Sequence, residues 1–324
     1  MGFIDDLKSR IKASGKTLKV VFPDGEVDSC VKAAEILAKE KIIVPVILGN
    51  QAKIEKLAKE LSVSLQGVEV IDPQTAVSED FINSYYELRK HKGITKEQAK
   101  ETITKVHFYG GMMVEKGLAA GMVGGLTSAT KPYEPAFQIV KTAPGIKKAS
   151  GAFFMIKGED VKIYADCVLN MDPDSATLAD IGAASGDTAK AFGIDPKIAF
   201  LSFSSFGTAS HAMVDKVAEA VKLCKALRPN YVIDGEIQFD AAAVPDVASK
   251  KCANSPLGGK ANIFIFPDLN AGNIGYKITE RLAGYKAVGP VFQGLNKPLN
   301  DLSRGAKPED IADTGYLTAV QSMK

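Results

Sequence analysis

The chain has 324 residues, 46% of them hydrophobic, which is length for about two domains and apolar content for a real core. Its 40 basic and 38 acidic side chains leave a net charge of +2. That balance argues against a nucleic-acid partner, whose basic face usually shifts the whole charge, but it leaves room for a local cationic pocket.

The first residues, MGFIDDLKSRIKASGKTLKVVF, carry acidic side chains early and no apolar run before a small-residue cleavage site. No signal peptide is expected, and no stretch reaches the ~18 apolar residues of a membrane span. LKVVFP (18–23) reads as a buried strand and VDSCVKAAEILAKE as the amphipathic helix after it. VPVILG (44–49) and VEVID (68–72) are the next strands, with helical QAKIEKLAKEL between them. Short apolar runs without polar alternation, separated by helices, predict βαβ units and a parallel sheet covered on both faces. SEDFINSYYELRKHKGI begins at a Ser/Asp cap and reaches Gly93 after a cationic last turn, a well-signalled helix.

GGMMVEKGLAAGMVGG (110–125) is rich in glycine but lacks the G-x-G-x-x-G spacing of a dinucleotide loop. Near KTAPGIKKASGAFFMI the pattern changes, because Pro144 and Gly145 break the chain. SGAFFMIKG and VKIYADCVL follow as two extended segments with only Glu159 and Asp160 between them, a predicted hairpin. Alternation then resumes. SATLADIGAASGDTAKAFG, MVDKVAEAVKLCKAL and NIGYKITERLAG read as helices, and KIAFLSFS, YVIDG, ANIFIFPD and KAVGPVFQG as extended segments. PEDIADTGYLTAVQSM closes the chain as a helix. The predicted class is α/β, with two α/β domains of mainly parallel strands facing a cleft. The expected boundaries are 1–147 with 297–324 for the first domain and 148–296 for the second.

Several chemistries lack their signatures. There is no G-x-x-x-x-G-K-[ST] loop, no G-x-S-x-G elbow and no HExxH, and His91, His107 and His211 are scattered. Cys30, Cys167, Cys224 and Cys252 are far apart and form no C-x-x-C pair, so reduced thiols in a cytoplasmic protein are expected rather than disulfides or zinc. NDLSRGAKPEDI (300–311) stands out. Pro308 at a first turn, with Glu309 and Asp310 against the helix dipole, explains it as a loop and a cap. Arg304 is left over. A guanidinium in a glycine-flanked loop before a helix suits a phosphate or carboxylate, which it holds through two parallel hydrogen bonds.

VFPDG, YELRKHKGIT, YADCVLNMDPDS, IDGEIQFDAA, FIFPDLNAGNIGYKI and AVGPVFQGLNKPLNDLSRG together resemble the phosphate acetyltransferase (phosphotransacetylase) family, in order, from about Thr17 onward. The resemblance implies transfer of an acetyl group between acetyl phosphate and coenzyme A. It also implies a fold related to the isocitrate and isopropylmalate dehydrogenases, and a homodimer. Coenzyme A or acetyl-CoA, acetyl phosphate and phosphate are then the partners, with no cofactor held permanently and no metal. By the same resemblance Ser303, Arg304 and Asp310 match the family's catalytic serine, arginine and aspartate, and Arg89 its coenzyme A arginine. Ser128, Cys167, Asn273 and Lys277 are carried over as substrate-binding residues. On the residues alone, Arg89 is equally a cation at a helix end, Cys167 a small buried hydrophobe, and Asn273 with Lys277 the ordinary start of a helix.

The implied chemistry can be assigned to roles. At a pKa near ~8.5, only roughly 3% of an alkyl thiol is thiolate at pH 7. Arg304 would neutralise the phosphate and Ser303 would donate to the carbonyl oxygen as it becomes negative. An ordinary aspartic acid lies about 4–5 pKa units below a thiol, so full proton transfer to one is uphill by roughly 6 kcal/mol. The aspartate is thus either a base raised by desolvation or an orienting group while phosphate takes the proton. Three departures bear on coenzyme A and acyl choice. Glu134 stands where most members place an arginine, Ser29 replaces another, and the loop after LSFS is more apolar than usual. A butyryl-transferring relative and a catalytically weak binding paralogue are the alternatives.

Overall fold

The computed structural model describes residues 2–127 and 133–323. Two compact units divide the chain: residues 4–143 with 295–324, and residues 144–294 with 1–3. We call them the discontinuous and the inserted unit.

In chain order the elements begin α1 (Phe3–Ala13), β1 (Lys19–Phe22), α2 (Asp28–Glu40), β2 (Val44–Leu48), α3 (Gln51–Glu60) and β3 (Glu69–Ile71). Four helices follow, α4 (Pro73–Ala76), α5 (Glu79–Arg89), α6 (Lys96–Ile103) and α7 (Val106–Glu115), then β4 (Gly121–Gly124) and α8 (Tyr133–Gln138). The inserted unit opens with β5 (Ser150–Lys157), β6 (Asp160–Ala165), α9 (Ser175–Ala191) and β7 (Lys197–Leu201). It continues with α10 (Ala212–Leu227), β8 (Val232–Ile237), α11 (Phe239–Ala243), α12 (Pro245–Lys251), β9 (Ile263–Ile265), α13 (Leu269–Ala283) and β10 (Lys286–Gln293). The chain then re-enters the discontinuous unit as β11 (Leu299–Asp301) and α14 (Pro308–Gln321).

The discontinuous unit is built on a five-stranded sheet of order β11-β4-β1-β2-β3. Every pairing in it is parallel. Val20, Val21, Val46 and Ile47 are fully buried, as residues of a sheet covered on both faces must be. Side-chain caps set three helix starts: Asn50 accepts the Lys53 N–H, Ser78, the cap expected from the sequence, that of Phe81, and Thr95 that of Gln98.

The inserted unit has a six-stranded sheet of order β10-β5-β6-β9-β7-β8. The expected hairpin is β5–β6, antiparallel, turning at Gly158 in the left-handed region. β10 also runs antiparallel to β5, so this sheet is mixed, with its parallel part confined to β6, β9, β7 and β8. α9 is buried along most of its length, as expected of a helix packed between a sheet and α10. The α/β class with mainly parallel strands therefore holds.

The glycine-rich tract at 110–125 forms the end of α7, a turn over 116–120 and then β4, and small side chains in it permit close packing of backbone against neighbouring elements. No helix among the described residues is long and apolar enough to cross a membrane.

Within the returning segment, a buried polar group ties β11 to α14. Asn300, on β11, donates through Nδ2 to Thr318 Oγ1 at 2.7 Å and to Gln321 Oε1 at 2.8 Å on α14. Asn300→Ala strands those two acceptors in the interior and should cost about 1–3 kcal/mol, read as a lower urea midpoint at unchanged m-value.

Candidate functional site

In a parallel sheet, the loops that leave the carboxyl ends of the strands converge on one edge, the usual place for ligands in open α/β folds. In the discontinuous unit those loops begin at Pro23 after β1, Gly125 after β4 and Leu302 after β11. Asp301 stands opposite Gly124 in the parallel register, so the loops after β4 and β11 start side by side. Gly125 lies at φ +123° against that neighbour, and a Cβ there would fall 2.0 Å from Asp301 Oδ1 and 3.0 Å from the Leu302 nitrogen. Only glycine allows this approach.

Ser303 and Arg304 come next, and both are exposed. The loop turns tightly, with the Ala306 N–H donating to the Ser303 carbonyl at 2.9 Å and the Gly305 N–H to Ser303 Oγ at 3.4 Å. Accepting that bond leaves the serine's own O–H proton able to donate elsewhere. α14 starts four residues on. Pro308 occupies its first turn, and the half-buried Asp310 accepts the Lys307 N–H through Oδ2 at 3.3 Å. The capping role and the proposed chemical role thus fall on one carboxylate.

A second carboxylate shapes the same edge, and it is absent from the sequence-based site. Asp24 follows β1 and is 5% exposed. Its Oδ2 accepts the N–H groups of Gly125 at 2.8 Å and Leu126 at 3.1 Å, and its Oδ1 accepts the Thr127 hydroxyl at 2.7 Å. Nε2 of the buried His107 lies 3.8 Å from Oδ1. In sequence Asp24 sits unremarked in the VFPDG stretch, and Thr127 is 103 residues away, so local pattern offers no signal for the pair.

The other expected residues fall in three places. Arg89 is half-buried at the end of α5, before a 3-10 turn over Lys90–Lys92 and the left-handed Gly93. Burial pushes the nearby Tyr85 hydroxyl up in pKa, with the Arg89 cation acting against this and the Glu134 carboxylate reinforcing it. Glu134, the charge-reversed position, therefore shares the electrostatic surroundings of Tyr85 with Arg89. Ser128 lies outside the described residues.

Cys167, Asn273 and Lys277 are brought together in the inserted unit. The Asn273 amide donates to the Cys167 carbonyl at 3.3 Å, and Lys277 donates to Asn273 Oδ1 at 2.8 Å. Cys167 itself is fully buried, and burial first, then the adjacent Asp166 carboxylate, pushes its thiol well up. Asp166 is a buried anchor as well: its two oxygens accept N–H groups from Gly151, Val168, Leu169 and Asn170.

Among the described residues, no group of three or more His, Cys, Asp and Glu is arranged to hold a metal ion. A hollow of about 780 Å³ in the discontinuous unit opens among Lys16, Glu35, Lys39 and Ser64, at the amino ends of β1 and β2. That is the opposite edge of the sheet from Ser303, and it offers solvated lysines rather than a convergent polar set.

With this geometry in hand, comparison with known proteins gives the class. The chain belongs to the phosphate acetyl/butaryl transferase family, which it matches over residues 2–319. It is 46% identical to a phosphate acetyltransferase of Bacillus subtilis (strain 168) over 314 residues, 96% of this chain and 97% of that one. Its fold matches the EutD phosphotransacetylase from Staphylococcus aureus at 45% identity with a TM-score of 0.90, covering 98% of this chain and 99% of the other. A phosphotransacetylase from Streptococcus pyogenes matches at 42% identity with a TM-score of 0.92, covering 98% of each chain.

All four cysteines are buried. Burial raises the thiols of Cys30, Cys167 and Cys224, the last to about 12, so the reactive thiolate is depleted at neutral pH. A thiol-reactive chromophore at pH 7.5 should label the native protein only on the timescale of unfolding, and all four sites at once in denaturant. A stoichiometric fast phase in the native state would contradict the burial of all four thiols.

Proposed function

We propose that the chain moves an acetyl group between acetyl phosphate and coenzyme A, by direct attack of the thiol in a ternary complex. The observation that carries this reading is the 46% identity to phosphate acetyltransferases across nearly the whole of both chains. The exposed hydroxyl–guanidinium pair at the carboxyl edge of a parallel sheet supports it.

In this mechanism Arg304 grips the phosphate end of acetyl phosphate through its planar fork and improves it as a leaving group. Ser303 donates to the carbonyl oxygen, a contact that in such sites is worth about 3–4 kcal/mol in the transition state. The sulfur–carbon bond forms, the carbon–oxygen bond to phosphate breaks, and the thiol proton leaves with the phosphate. Asp310 already accepts a backbone N–H, which favours an orienting role over that of a full base. No covalent enzyme intermediate is needed, because two substrates held together gain most from proximity. Coenzyme A is a substrate, and Arg89 meets one of its phosphates. Asn273 and Lys277 are kept as a polar pair open to an anion. Four buried, unpaired thiols suit the cytoplasm, where we place the enzyme.

Thioester absorbance with acetyl phosphate and coenzyme A tests the reaction, with butyryl phosphate as the second arm. Turnover should favour the acetyl substrate. Arg304→Ala should lower kcat/KM for acetyl phosphate at least about a hundredfold, whereas Arg89→Ala should raise the KM for coenzyme A about tenfold with little change in kcat. Near-normal turnover of the Arg304 variant would remove the mechanism.

We also propose a homodimer. Ile274, Ile278 and Leu282 are 57%, 53% and 83% exposed and recur one turn apart along α13, an apolar stripe of the kind that marks an interface. Light scattering should give twice the 34.4 kDa of one chain. Leu282→Glu should shift the mass toward the monomer, and a wild-type monomer at micromolar concentration would refute the assembly.

A further inference from the structure

We infer that Asp24 is a positioning residue for the acyl-phosphate end of the site, acting through the Gly125–Thr127 loop. The inference rests on the reading of Ser303 and Arg304 given above and extends it to a residue two strands away.

Ser303 and Arg304 stand on a short loop whose start, Asp301–Leu302, is pressed by Gly125 so closely that no Cβ fits between them. The position of Gly125 therefore sets the position of that loop. Gly125 is in turn fixed by Asp24, which takes its N–H together with those of Leu126 and the Thr127 hydroxyl. A charged acceptor makes such bonds about twice as strong as neutral ones. Gathering three donors on one buried side chain also removes most of the loop's freedom.

The sign of the charge explains the arrangement. A carboxylate facing a phosphate dianion would oppose its binding, but Asp24 is buried and turned to donors of the protein itself. What it contributes is the fixed edge against which the Arg304 loop lies, so that guanidinium and hydroxyl keep their spacing when charge moves onto phosphate. The exposed Thr127 is the outermost of the three donors and can be altered with the least effect on folding.

Thr127→Val removes one donor and keeps the shape, Thr127→Ser keeps the donor, and Asp24→Asn removes the charge and replaces one of the two accepting oxygens by an NH2 group that cannot accept. For Thr127→Val the KM for acetyl phosphate should rise about tenfold, with the KM for coenzyme A within about twofold of the wild type. Thr127→Ser should recover most of that loss, and Asp24→Asn should lose more than Thr127→Val. In parallel, the rise in melting temperature produced by inorganic phosphate should shrink in Thr127→Val, while the rise produced by coenzyme A persists.

If both KM values move together, or the phosphate-induced shift is unchanged in Thr127→Val, Asp24 only stabilises the fold and the inference fails, while the reading of Arg304 stands. If phosphate shifts Arg304→Ala as much as the wild type, the underlying reading fails, and the inference fails with it.

Discussion

Leu299–Asp301 lies in parallel register beside Met122–Gly124, and this pairing fixes where the chemistry of the discontinuous unit stands. The strand is only three residues long, and its own side chains are buried. Its Asn300 amide holds it to Thr318 and Gln321 of α14 on one side, and the backbone ladder of β4 holds it on the other. Because it ends in register with β4, the exposed residues after it have one place to go, the carboxyl edge of the sheet. Ser303 and Arg304 are exposed there, and α14 begins immediately beyond. The loop they occupy is short enough that its two ends fix most of its path.

The two units solve one problem in similar ways. Each must leave a strand and hold an irregular loop at the sheet's edge, where backbone N–H groups have no ladder partner. In each, an aspartate just beyond the strand gathers those N–H groups: Asp24 after β1 and Asp166 after β6. Glu236, within β8, does the same for the Gly207 N–H and the Ser204 hydroxyl. A carboxylate has room for several donors at once, and burying it is tolerable only when they are supplied. Even with its donors, Asp166 has its pKa raised, burial outweighing the hydrogen bonds.

Much of this architecture is legible in the residues. KVVF and VPVIL are strands because three to five consecutive apolar residues can be covered on both faces, and α5 begins where Ser78 announces it. GMVG and LND are not legible, since glycine and polar residues dominate them and only their neighbours make them strands. The mixed inserted sheet is half visible in the residues: the turn at Gly158 marks the hairpin, but nothing local tells β10 to join β5. At the site, Ser303, Arg304 and Asp310 share one short span and could be named from the family resemblance. Asp24 and Thr127 could not, because a pair that far apart in sequence is joined only by folding.

The inserted unit interrupts the other one, and this orders events during synthesis. Residues 144–294 contain all of the strands of their own sheet, whereas the sheet of residues 4–143 waits for β11. At roughly 5–20 residues per second, the ribosome needs many seconds to deliver the intervening unit. Through that interval β4 is an edge strand without its partner, and the hydrophobic face that α14 covers stays open. A nascent chain of this design is therefore most vulnerable to aggregation late, after its middle has folded and before its final thirty residues arrive.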